Sequence, residues 1–230
     1  MEILLISALL PGILFVIYLY RLDHIEKEPI SLIIKLLFAG VASALLAYFL
    51  EVVLEDIILM LFDFSYTLYY IVDAFVVVGL SEEFAKFLFL KKNSWYDHNF
   101  NCAFDGVLYS ALAALGFAMS ENILYVFSYG LPTALTRAFT SIPAHLAFGI
   151  IMGIFYSNAK MAQYKGDEKK CRVNLVYSIF FPTILHGFYD YCLFDGSDLL
   201  MVLWGLTIII IYIVVFKLVR EYAKNDTEFY

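Results

Sequence analysis

The stretch TLYYIVDAFVVVGLSEEFAKFLFL, residues 67–90, is apolar for long enough to cross a bilayer, yet it holds Asp73, Glu82, Glu83 and Lys86. A helix rising 1.5 Å per residue covers a hydrocarbon core of about 30 Å in roughly 20 residues. Comparable apolar runs fall at 3–20, 32–50, 105–129, 133–157, 173–193 and 199–218. The chain is 63% hydrophobic and only 16% charged, with mean hydropathy +0.81. That leaves too little polar side chain to cover a water-facing surface. In lipid every backbone polar group must be satisfied internally, so the choice lies between helices and a closed barrel. Long runs, rather than alternating ten-residue strands, favour helices. The expectation is an all-α, polytopic helix bundle in the cell membrane, with about seven transmembrane helices, forming a single domain over residues 1–230.

Lysine and arginine placement predicts the orientation. Basic breaks carry Arg21 and Lys27, Lys91 and Lys92, then Lys160 to Arg172, and finally Lys217, Arg220 and Lys224. The alternate breaks are poor in basic residues, and two are acidic: Glu51, Glu55, Asp56 and Asp63 in one, Asp195 and Asp198 in the other. This predicts an outside N-terminus and a cytoplasmic C-terminus. The first run lacks a positive n-region and reads as a retained span rather than a signal peptide. A net charge of −7 gives no footprint for nucleic acid. Cys102, Cys171 and Cys192 have no metal-ligand spacing and read as free thiols.

Charges within spans are expensive and mark functional candidates by default. Besides Glu82, Glu83 and Lys86, these are Glu121 in the fourth run, His145 in the fifth, and His186 with Asp190 in the sixth. Asp73, Asp105 and Arg137 read as interfacial. Counted from the outer ends of their helices, Glu82, Glu121, His145 and His186 all lie roughly 12–14 Å deep, in one layer. Glu82 and Glu83 precede Lys86 by four and three residues, within reach on a helix. One carboxylate can pair with the lysine, leaving the other for different work. His186 and Asp190 share a face at i,i+4, and the carboxylate can fix the imidazole's orientation. Gly149, four residues after His145, permits close helix approach. Pro143 and Pro182 precede the two histidines and can free backbone groups.

Glu82-Glu83-Phe-Ala-Lys86 fits EExxK, Phe117-Ala-Met-Ser-Glu121 fits FxxxE, and His186-Gly-Phe-Tyr-Asp190 fits HxxxD. In that order on successive spans they resemble the PrsW family of intramembrane proteases, related to the CAAX prenyl proteases. Asp105-Gly106-Val, Gly116-Phe117, Glu121-Asn122-Ile-Leu-Tyr125, His145-Leu-Ala-Phe-Gly149 and the 23–29 loop extend the likeness over nearly the whole chain. The resemblance implies peptide hydrolysis in the membrane: the first, extracytoplasmic-side cut of a single-span anti-sigma factor, which leads to sigma-factor release and a stress response.

Hydrolysis needs an activated water and donors for the oxyanion. Ser81 and Ser120 have no evident base, so activated water is favoured over a covalent nucleophile. The expected catalytic set is Glu82, Glu83, Glu121, His186 and Asp190, with Lys86 and His145 in support. Analogy with the CAAX relatives favours Glu82 as base, whereas i,i+4 pairing of Glu82 with Lys86 favours Glu83, and both stay open. Glu121 would hold the water, and His186, oriented by Asp190, would stabilise the oxyanion. No metal or other cofactor is expected. A zinc site built from His145, His186, Glu121 and Asp190 is the alternative, although HExxH is absent. A transporter or channel using the same charges as an ion relay, or a non-catalytic scaffold, are the competing classes.

Overall fold

A computed structural model describes residues 1–229. Five helical runs are long and apolar enough to cross a membrane: Glu2–Leu22, Ile30–Leu61, Ala103–Tyr129, Leu131–Tyr164 and Asp198–Lys224. In elements these are α1 (Glu2–Leu22), α2 (Ile30–Leu61), α5 (Ala103–Tyr129), α6 (Leu131–Phe139) with α7 (Ser141–Tyr164), and α9 (Asp198–Ile213) continuing through a π-helical turn into α10 (Val219–Lys224). Between them lie α3 (Tyr66–Val72), a π-helical segment (Asp73–Leu80) and α4 (Ser81–Ser94), which run on without interruption, and α8 (Glu168–Asp195). Among the described residues there is no strand, only an isolated bridge between Cys102 and Glu228.

The centre of the bundle is α5, packed on α2 and α7 and buried along most of its length. Small residues make this possible. A Cβ on Gly40 of α2 would lie 2.0 Å from the Ala113 carbonyl oxygen of α5, and one on Gly116 would lie 2.1 Å from that of Leu37. The two backbones therefore touch without side chains between them. Gly149 of α7 also packs closely on α5, where a Cβ would stand 2.6 Å from that of Ala114.

The run expected as one span over 133–157 is broken at Thr140. Pro143 explains the break. It stands in the first turn of α7, lacks the N–H that would bond to the Phe139 carbonyl, and crowds that carbonyl. The Phe139 oxygen accepts the Tyr212 hydroxyl instead, at 3.0 Å. The short helix α6 packs against α1, α5 and α7 and carries Arg137. Gly196 takes a left-handed conformation (φ 66°) that closes α8 and turns the chain into α9.

Candidate active site

The π-helical segment leads directly into Glu82 and Glu83. π-turns in helices are uncommon and recur at functional sites. Here the wide turn lies against α8 through two glycines. A Cβ on Gly79 would stand 3.2 Å from the Gly187 nitrogen, and one on Gly187 would stand 2.5 Å from the Phe75 ring. This contact brings the EExxK and HxxxD helices together at main-chain distance.

The side chains singled out from the sequence converge. Lys86 donates to Glu82 Oε2 at 3.0 Å and to Glu83 Oε1 at 2.7 Å. Its Nζ lies 3.1 Å from His145 Nδ1 and 4.0 Å from the Phe117 ring centre. The expectation that one carboxylate pairs with the lysine while the other stays free is corrected, because an ammonium has three donors and holds both. A charged lysine has no acceptor, so His145 Nδ1 must accept; Nε2 then carries the proton and donates to Glu121 Oε2 at 2.9 Å. His145 is thereby a neutral imidazole. His186 faces Glu83 Oε1 with Nδ1 at 2.9 Å and Asp190 Oδ2 with Nε2 at 3.1 Å. The Asp190 contact is an ion pair by distance, and carboxylates beside both nitrogens suit a doubly protonated ring. Phe148 stacks on that ring at 4.9 Å, and the two imidazoles stand edge to face at 5.2 Å.

The two glutamates differ. Glu83 is fully buried behind Lys86 and His186. Glu82 lines a cavity of about 560 Å³, with its Oε2 3.8 Å from His186 Nε2 and 4.0 Å from His145 Nδ1. Glu121, His145, His186 and Asp190 line the same cavity.

Arg137, read as interfacial, belongs to this site. Its Nη2 lies 2.8 Å from Glu121 Oε2, an ion pair by distance rather than an aligned hydrogen bond. Its Nε donates to Asn122 Oδ1 at 3.0 Å. Asp105, also read as interfacial, is buried and accepts the backbone N–H groups of Asn101 and Cys102. Asp73 is half-buried at the start of the π-helical segment. Glu51, expected in an acidic break between spans, lies within α2 and lines the cavity. A signal for it existed in the spacing: Gly40, Ser43 and Ala47 form the buried face of α2, and Glu51 continues that face one turn on.

A family model described as "PrsW family intramembrane metalloprotease" matches residues 28–219. The chain belongs to the PrsW family. It is 36% identical over 191 residues to a protein named Protease PrsW from Geobacillus kaustophilus (strain HTA426), covering 82% of this chain and 79% of that one. It is 31% identical over 216 residues to the Protease PrsW of Clostridioides difficile (strain 630), covering 92% and 86%, and 30% identical over 187 residues to that of Bacillus subtilis (strain 168), covering 81% of each. No solved structure matches. As a PrsW family intramembrane protease the chain is a peptidase and a multi-pass protein of the cell membrane. That displaces the transporter and scaffold readings.

The family is described as one of metalloproteases. Glu82, Glu83, His145 and His186 each offer an atom within 4.8 Å of the others, and two imidazoles with two carboxylates are acceptable zinc ligands. The Lys86 ammonium, however, lies 2.7–3.1 Å from three of the four groups. It already supplies positive charge at that point, and His145 Nδ1 and both His186 nitrogens are engaged with protein partners. With Lys86 in place the set does not fit a metal.

Proposed function

We propose that this PrsW protein hydrolyses a peptide bond of a single-span anti-sigma factor with a water activated by Glu82, without a metal ion. The observation that carries the reading is the inequality of the two glutamates: Glu82 faces the cavity, while Glu83 is sealed behind Lys86 and His186. A base must reach the water whose proton it takes. Glu82 takes that proton as the hydroxide attacks the scissile carbonyl, and returns it to the amine as the C–N bond breaks. His186, held between Glu83 and Asp190, presents its positive charge to the developing oxyanion. Glu121 uses Oε2 for His145 and Arg137, leaving Oε1 to hold the water. Lys86 offsets part of the charge of the two carboxylates it holds, which a low-dielectric interior would otherwise penalise more heavily.

The anti-sigma factor and the stress response follow from the family resemblance. The lysine-rich breaks all sit at the opposite end of the bundle from the cavity, which supports an outward-facing site and a first cut on the outer side.

The test is purified protein reconstituted with a candidate anti-sigma factor, with and without chelator, alongside metal analysis. Cleavage that survives chelation in a sample with substoichiometric zinc is expected. Close to one zinc per chain, with activity lost on chelation and restored by zinc, overturns the glutamate mechanism and leaves the peptidase assignment intact.

A further inference from the structure

Every other carboxylate and imidazole of the site has a protein partner. Glu82 and Glu83 hold Lys86, Glu121 holds His145 and Arg137, and Asp190 holds His186. Glu51 has none: among the described residues no donor lies within hydrogen-bond or ion-pair distance of its carboxylate. Its position is fixed by the fold. Ala47, one turn earlier, packs with Ala85 and Phe117, which pins this face of α2 beside the Lys86 cluster. Glu51 therefore stands in the cavity wall, half-buried, one turn from that packing point.

The charge balance indicates what it would bind. Glu51, Glu82, Glu83, Glu121 and Asp190 meet only two fixed cations, Lys86 and Arg137, and two imidazoles. Protonating both imidazoles still leaves one negative charge over. With His145 neutral, as its contact with Lys86 requires, two are left. An uncompensated carboxylate in a membrane cavity is costly, and a cation delivered by a ligand removes that cost.

We infer that Glu51 is a specificity residue that binds a lysine or arginine side chain of the substrate in the same cavity as Glu82 and His186. A charge-assisted hydrogen bond in such a setting discriminates by about tenfold or more. An arginine can engage the carboxylate through two parallel bonds, and a lysine through one. The inference rests on the peptidase reading, since the ligand is a segment of the substrate chain.

Binding and cleavage separate the two. The probes are fluorescent single-span peptides, identical except for one position carrying lysine, arginine, norleucine or glutamate, moved stepwise along the segment. Binding is measured to the full-length protein bearing Glu82→Gln, which cannot turn over. Lysine and arginine peptides should bind about tenfold tighter than norleucine at one register. Adding Glu51→Gln should bring that ratio close to one, and Glu51→Lys should reverse the preference toward glutamate. A purely structural role would weaken all peptides alike and leave the ratio intact. An unchanged ratio in Glu51→Gln, or no basic preference at any register, overturns the inference; if Glu51→Lys does not fold, Glu51→Gln decides alone. If the basic preference is found and depends on Glu51, yet protein with intact Glu82 cleaves none of the peptides, the hydrolytic reading fails and the Glu51 assignment stands.

Discussion

The two ends of the bundle both bury carboxylates, and they satisfy them in opposite ways. At the cavity end, Glu82, Glu83, Glu121 and Asp190 are held by an amine, a guanidinium and imidazoles. At the other end, Asp23 accepts the Glu28 amide at 3.3 Å, and Asp105 accepts those of Asn101 and Cys102 at 3.0 and 2.6 Å. Asp226 accepts the amides of Phe104 and Thr227 at 2.7 and 2.9 Å, and Glu28 accepts the Tyr109 hydroxyl at 2.6 Å. The C-terminal segment is tied on by Ala103 N–H to the Thr227 carbonyl and Phe229 N–H to that of Asn101, both at 2.9 Å. Backbone amides cannot exchange a proton with a reacting group, so carboxylates spent on them serve to fasten loops. Imidazoles and amines can stabilise changing charge, and the cavity is built from those. Lys27, the lysine nearest the second group, binds the Tyr20 and Asp23 carbonyls rather than a carboxylate oxygen.

The contrast can be broken by substitution at each end. The largest effect is expected at the cavity. Glu82→Gln and His186→Ala should each lower cleavage of a reconstituted substrate by about a hundredfold or more, the usual contribution of a positioned base or charge stabiliser, while the proteins accumulate normally in membranes. Near-normal cleavage by both would erase the distinction. Glu83→Gln should also lose cleavage, but with reduced thermal stability, because Lys86 and His186 would each lose a buried partner.

At the opposite end the expected loss is in stability. Asp105→Ala removes the acceptor that caps α5 and should cost roughly 1–2 kcal/mol in unfolding measurements, while the folded fraction cleaves at the wild-type rate. A folded but inactive Asp105→Ala protein would show that the two ends are coupled.

The smallest effect concerns pH. Burial pushes the Glu28 carboxyl up to about 7, against the pull of the Tyr109 hydrogen bond, which lowers it. A raised carboxylate binds its proton more tightly in the folded state, so the folded form loses relative stability as pH climbs from the ordinary value of 4.5 through about 7. Thermal melts should therefore fall modestly between pH 5 and pH 8, and Glu28→Gln should flatten that slope. A slope that persists in Glu28→Gln assigns it to other groups.

Much of the cavity was legible before the fold was known, because its motifs lie within single helices. The i,i+3 and i,i+4 spacings place Glu82, Glu83 and Lys86 on one helix and His186 with Asp190 on another, and shared depth brings the histidines and Glu121 to one level. Contacts between helices were less legible. Lys86 reaching His145 depends on how α4 meets α7, and Arg137 reaching Glu121 on how α6 meets α5, and no local spacing encodes a crossing. Glu51 was misplaced because acidic residues follow it along the chain, so charge alone marked a loop where α2 in fact continues to Leu61. Asp105 and Glu28 carry the same chemical groups as Glu82, and only their donors distinguish them.

The meeting of Gly79 and Gly187 carries a consequence for how this enzyme can diverge. The separation of Glu83 from His186 is gauged by close main-chain approach at Gly79, with the Phe75 ring and Cα the nearest atoms to Gly187. The lipid-facing flanks of both helices are therefore free to change as membranes of different composition demand, and the reacting groups keep their spacing. The tolerance is one-sided: divergence can proceed over the whole outer surface of the protein, but a single methyl group added at this contact would wedge the two motifs apart.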